Sequence, residues 1–187
     1  MNKIFTIGHS TRPIEEFIDL LTSHDIVQLV DIRTIPKSRH NPQYGQEALA
    51  QCMAGAGIEY VYLKALGGRR PKAKVSVNDA WRNASFRNYA DYMQTPEFVA
   101  GLKELIALAA DKVTAIMCAE AVPWRCHRSL VSDALLVRGI ESCEIISASS
   151  ERSHTLRPFA VVDGTTITYP ASALPENERP TGDRSTP

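Results

Sequence analysis

A chain of 187 residues, 44% of them hydrophobic, is long enough for one well-packed domain and too short for two ordinary ones. Lysine plus arginine equals aspartate plus glutamate at 21 each, so net charge by itself argues neither for nor against an anionic partner. No apolar run approaches the ~20 residues that span a bilayer, and a single Lys3 before a short strand-like run does not make a secretory leader; both predict a cytoplasmic protein with no membrane partner. The four cysteines are too few for the disulfide framework of a small secreted domain, and in a reducing compartment their chemistry is that of thiols or metal ligands.

In chain order, Lys3 to Gly8 reads as a first strand and Pro13 to Leu21 as a helix with Ile14, Phe17, Ile18, Leu20 and Leu21 on its apolar face, capped by Ser10 or Thr11. Ile26 to Arg33 is a second strand, followed by an irregular proline-bearing loop. Gln46 to Ala54 is then a short helix that Gly55 and Gly57 end. The third strand runs from Glu59 to Leu63. Lys64 to Ala84 is too long and polar for an ordinary connection, which makes it a candidate lid. Two helices, Ser85 to Met93 and Pro96 to Ala110, lead into a fourth strand ending at Met117; a helix over Ser129 to Val137 and a fifth strand over Ser142 to Ile146 complete the alternation. Phe159 to Val162 and Thr165 to Tyr169, joined by Asp163-Gly164, predict a hairpin. The expected fold is α/β with three layers (α/β/α), a mainly parallel, Rossmann-like sheet of about five strands and a C-terminal hairpin. Residues 1–170 form the domain, and the Pro-, Glu-, Ser- and Thr-rich stretch 171–187 is expected to be disordered.

Between Met117 and Arg128 the sequence M-C-A-E-A-V-P-W-R-C-H-R packs two thiols, a carboxylate, an imidazole and two guanidinium groups onto one strand-to-helix turn. In open α/β sheets ligands bind beyond the carboxyl ends of parallel strands. Other polar residues fall in the same register: His9 and Ser10 follow the first strand, Asp31 and Arg33 end the second, Gly67, Gly68 and Arg69 follow the third, and Cys118 with Glu120 ends the fourth. Buried parallel strands otherwise favour apolar ends, so four strands delivering polar groups to one rim point to a site. Ten of the 21 basic residues lie in the two loops from Arg33 to Tyr44 and from Lys64 to Arg87, which border that rim and surround it with positive potential.

Several separated motifs occur in a specific order: T-I-G-H-S at Thr6 to Ser10, D-I-R-x-x-P-x-S at Asp31 to Ser38, G-I-E-Y-x-x-L-x-x-L-G-G at Gly57 to Gly68, F-x-x-Y-A-x-Y-M at Phe86 to Met93, and M-C-A-E followed by C-H-R. Together they resemble the bacterial and archaeal family catalogued as domain of unknown function 488, over about residues 3–147. The resemblance implies a compact α/β domain and singles out His9, Asp31, Arg33, Ser38, Gly67, Gly68, Cys118, Glu120, Cys126, His127 and Arg128; it implies no particular reaction.

The residues themselves suggest roles. Cys126, at the start of a helix and flanked by Arg125 and Arg128, is placed to hold a thiolate and act as nucleophile. His127 is a base or donor, and Cys118, Glu120 and Asp31 are the other catalytic candidates. Arg128 with the helix N-terminus, Arg33, Arg69, Ser38, His9, Ser10, Gly67 and Gly68 are candidates for holding an anion. Six residues separate Cys118 from Arg125, one more than the C-x5-R loop of tyrosine phosphatases and rhodaneses allows. Zinc has weaker support, because C-x7-C-H lacks the C-x2–4-C spacing of structural sites, so no cofactor is expected. With no G-x-G-x-x-G after the first strand and no Walker signature, dinucleotide and P-loop chemistry are also unsupported. Two functions remain open: an enzyme acting on a phosphorylated or nucleotide-like substrate through a thiol or acid–base site, and a nucleic-acid or nucleotide binding module whose cysteines are structural.

Overall fold

The computed structural model describes residues 3–178. Its central sheet has strands β1 (Ile4–Gly8), β2 (Gln28–Asp31), β3 (Glu59–Tyr62), β4 (Thr114–Cys118), β5 (Ser142–Ser147) and β6 (Ser150–Ser153) in the order β3-β2-β4-β1-β5-β6. β1 to β5 run parallel. β6 is an antiparallel edge strand that the sequence analysis did not anticipate. Its Ser-Glu-Arg-Ser sequence is exposed throughout, so neither alternation nor hydrophobicity marks it; it forms because the chain turns back on β5.

Helices cover both faces. α1 (Ile14–Thr22) and α2 (Gln46–Gly55) pack Phe17, Leu21, Leu49 and Met53 against Leu29, Ala115 and Met117. α3 (Ala84–Tyr92), α4 (Pro96–Leu108) and α5 (Arg128–Leu136) pack Tyr89, Leu102, Leu105, Leu130 and Leu135 against Val30 and Ile116 on the opposite face. This is the three-layer α/β/α arrangement expected. Neither Ser10 nor Thr11 caps α1; Pro13 occupies the cap position with no side-chain hydrogen bond.

The connections from β1 and β2 lead into helices on one face, and those from β3 and β4 into helices on the other. β4 lies between β1 and β2. Its carboxyl end is therefore a switch point, where loops diverge to opposite faces and leave a crevice. The first residues of the β4–α5 connection close against β1 so tightly that a Cβ on Gly8 would stand 1.8 Å from the Glu120 carbonyl oxygen; only glycine fits that position of the T-I-G-H-S motif.

β7 (Val161–Asp163) and β8 (Thr166–Thr168) form the expected hairpin, with its turn one residue later than Asp163-Gly164, at Gly164-Thr165. The hairpin anchors the end of the long loop: the Asn78 side-chain oxygen accepts from the Tyr169 amide at 2.9 Å, the Ala80 amide donates to the Tyr169 carbonyl, and Trp81 stacks on Phe86. Beyond residue 170, Ala171–Ala173 and Glu176–Glu178 are single 3-10 turns and Leu174 joins the core, while the rest of the stretch expected to be disordered lies outside the described residues. No helix among the described residues is long and apolar enough to cross a membrane.

Candidate functional site

A cavity of about 540 Å³ opens at the carboxyl edge of the sheet. Of the residues expected at the rim, His9, Arg33, Ser38, Gly68, Arg69, Cys118, Glu120, Cys126 and His127 line it. Lys37, Arg70 and Arg125 add positive charge to its wall, and Phe86 and Ser85 contribute from the start of α3. Among the described residues, Glu120 is the one acidic residue lining it.

Three of these side chains converge on its floor. Cys118 ends β4, Cys126 precedes α5 and His127 caps it, and their ligand-type atoms all lie within 4.8 Å of one another. The His127 Nε2 is 3.0 Å from the Ile32 carbonyl oxygen, which can only accept, so Nε2 carries a proton. Nδ1 then faces both sulfurs, 3.9 Å from Cys118 Sγ and 3.7 Å from Cys126 Sγ. Sequence neighbours at a helix start normally diverge; here Cys126, extended before the helix, and His127, already helical, turn toward one point. The ring leans on Tyr89 and on the backbone of Gly68, where a Cβ would approach Nδ1 to 2.4 Å. That contact is why the second glycine of the L-G-G motif belongs to the site although it carries no functional group.

The thiols differ sharply. Burial alone would push the Cys126 thiol up, but the hydrogen bond from Cys118 and the charges of His127 and Arg128 outweigh it and hold Cys126 well below the ordinary thiol range. Cys118 is held well above it by that same hydrogen bond, by burial and by the charge on Cys126. Of the two, Cys126 is therefore the sulfur whose ionisation is favoured and Cys118 the one whose ionisation is opposed. The Arg128 amide, at the first turn of α5, also points at the Cys126 sulfur from 3.5 Å.

The structure gives other candidates supporting roles. Arg128 is fully buried and not at the cavity wall: one terminal nitrogen donates to the Glu120 carbonyl at 2.7 Å, while Nε and the other terminal nitrogen have no partner among the described residues. It braces the β4–α5 loop and supplies positive charge from behind Cys126. Asp31, also buried, pairs with Arg33, whose Nε lies 2.9 and 3.0 Å from its two oxygens, and it accepts from the Tyr60 hydroxyl at 2.7 Å. Arg33 in turn donates to the Tyr44 carbonyl at 2.8 Å and faces His9 Nε2 at 3.4 Å. His9, stacked on Tyr44, is pushed down to about 4 chiefly by burial, with the Arg33 charge adding to it, and is a neutral acceptor at neutral pH. Ser10 sits beside the site in a left-handed backbone conformation (φ 50°), and Gly67 packs under Thr34. Arg70 is tied down by the Gly67 and Ala65 carbonyls and lies over the Tyr92 ring at 3.5 Å.

Sequence reasoning did not single out Thr34, which accepts from the Arg69 amide, nor Tyr44, Tyr60 and Tyr89 as supports of the charged groups. These tyrosines read as core aromatics, and nothing in their spacing reports a hydroxyl or carbonyl aimed at a rim. Cys52 lies in α2 and Cys143 in β5, away from this cluster, and His154, in the loop after β6, is bound to the buried Asp133.

Fold and site together define an open α/β protein with a thiol–imidazole centre beneath a basic crevice. The chain belongs to the family described as "Domain of unknown function DUF488", which it matches over residues 13–135. That span holds every floor and wall residue except His9, which together with Ser10 precedes it. No curated protein and no solved structure matches the chain.

Proposed function

We propose that this protein is a cytoplasmic enzyme acting on a phosphorylated or nucleotide-like substrate, with Cys126 as its reactive sulfur. The observation that carries this reading is the opposition of wall and floor: Lys37, Arg69, Arg70 and Arg125 line a cavity whose floor is the Cys118–Cys126–His127 cluster. A basic wall alone would suit a nucleic-acid or nucleotide binding module; two thiols and an imidazole gathered on the floor of the same cavity favour chemistry there. In the proposed reaction the Cys126 sulfur adds to the electrophilic centre of the bound substrate. The leaving group departs with a proton supplied through the Cys118 thiol or the imidazole, and water or another acceptor then releases the product and restores the thiolate.

The test is turnover and binding across a panel of sugar phosphates, nucleotides and phosphodiesters. Cys126→Ser is expected to lower kcat by at least about 1000-fold while leaving affinity within a few-fold, as removal of a nucleophile does. Arg69→Ala with Arg70→Ala is expected to weaken binding by about 10-fold with kcat largely kept. A ligand that binds without turnover, indifferent to Cys126→Ser and lost steeply with salt, would establish the binding module instead.

A further inference from the structure

We infer that Cys118 Sγ, Cys126 Sγ and His127 Nδ1 form a binding site for one thiophilic divalent metal ion, zinc above all, with its fourth coordination position open to the cavity. The inference rests on the preceding reading only for the anionic group in that fourth position; with the ion bound Cys126 is a ligand, and its sulfur acts as the free nucleophile only in the metal-free protein. Zinc binds sulfur at about 2.3 Å and imidazole nitrogen at about 2.0–2.1 Å, so neighbouring ligands around a tetrahedral ion stand roughly 3.5–3.8 Å apart. The observed Nδ1–Sγ separations are 3.7 and 3.9 Å, with all three atoms inside 4.8 Å. The Nδ1–Sγ separations need only a few tenths of an ångström to reach one ion, and the two sulfurs, no more than 4.8 Å apart, would close toward about 3.8 Å.

The orientation of the imidazole is what a ligand requires. Its Nε2–H is bonded to the Ile32 carbonyl, so when Nδ1 carries no proton its lone pair is aimed between the sulfurs, and outer partners of this kind fix the tautomer of metal-bound histidines. The ring is held from two sides by Gly68 and Tyr89. The spacing rule that disfavours zinc in the sequence applies to structural fingers, in which one hairpin supplies two ligands. Here a strand end and a helix start supply them, and three protein ligands with an open position are the pattern of catalytic zinc. Charge also fits: two thiolates cancel the ion, the buried Arg128 leaves one positive charge over, and an anionic oxygen in the fourth position balances it. A bound ion would supply Lewis-acid polarisation of that oxygen.

Cobalt(II) titration of the metal-free full chain tests this. One equivalent is expected to give the visible bands of a four-coordinate ion with near-ultraviolet thiolate-to-cobalt charge transfer, and zinc is expected to displace it. Cys126→Ser and His127→Gln are expected to weaken zinc binding by at least about 100-fold, more than loss of an outer partner costs, while Cys52→Ser changes nothing. Absence of the charge-transfer band in the wild-type chain, or its persistence after both Cys118→Ser and Cys126→Ser, overturns the inference. If the band is absent and turnover still depends on Cys126 in chelator-treated protein, the metal site falls and the thiol enzyme stands; if the band appears but no phosphorylated compound is turned over, the reverse holds.

Discussion

α5 carries two buried polar clusters of opposite character, one near its middle and one at its N-terminus. Near its middle Asp133, fully buried, accepts from His154 Nε2 and from the Tyr169 hydroxyl, both at 2.7 Å. Each of its oxygens has a donor, so the cluster ties β8 and the segment after β6 to the helix. At the N-terminus, Cys118, Cys126 and His127 meet only at longer range, Nδ1 standing 3.9 and 3.7 Å from the two sulfurs, and they border a cavity. Burial does not separate the structural cluster from the reactive one; short complementary hydrogen bonds on one side and an adjoining cavity on the other do.

The largest expected effect lies at the satisfied cluster. Asp133→Ala removes the shared acceptor and leaves His154 and the Tyr169 hydroxyl, whose ionisation burial strongly opposes, without it. The expected cost is on the order of 3–5 kcal/mol, read from chemical denaturation, with the chain at risk of unfolding. A loss below about 1 kcal/mol would show that this cluster is no more structural than the one at the N-terminus.

Acid gives a second contrast, through His9 at the rim. Its folded-state value of about 4 lies below the ordinary 6.5, so the unfolded chain takes up a proton that the folded chain refuses. The stability tied to neutral His9 is therefore complete above pH 6.5 and is lost as pH falls from there toward 4, by at most about 3 kcal/mol. Comparison of wild type with His9→Asn between pH 7 and 4.5 isolates this contribution from the carboxylates; parallel curves would show that His9 is not held neutral by burial.

The smallest expected effect on stability, yet the most local, is Gly68→Ala. The added methyl would meet the His127 ring at 2.4 Å and push the imidazole off the sulfurs. A cost of about 1–3 kcal/mol is expected, together with a loss of turnover out of proportion to it. An unchanged kcat would mean that the placement of His127 over the cysteines is not what makes the centre reactive.

Much of this site is legible in the chain. Strand positions are local, set by apolar runs bounded by turn residues, and they place His9, Arg33, Cys118 and Glu120 at strand ends before any tertiary contact is known. The glycines of T-I-G-H-S and L-G-G announce close approaches, though not to what. The hidden parts are those a local pattern cannot encode. β6 has no hydrophobic signature, Arg128 was expected to face a ligand and instead lies behind the sulfur, and the Asp31–Arg33 pair is completed by tyrosines from distant segments.

By itself, then, the sequence determined the α/β alternation, the family and the edge of the sheet on which chemistry gathers, because periodicity and turn chemistry act over a few residues. Tertiary structure decided which of the gathered groups touch. The order β2-β4-β1 brings the Ile32 carbonyl against His127, and that one long-range hydrogen bond fixes the tautomer that aims Nδ1 at both sulfurs. Strand order and side-chain direction are set by packing summed over the whole core, and no short stretch of sequence carries them.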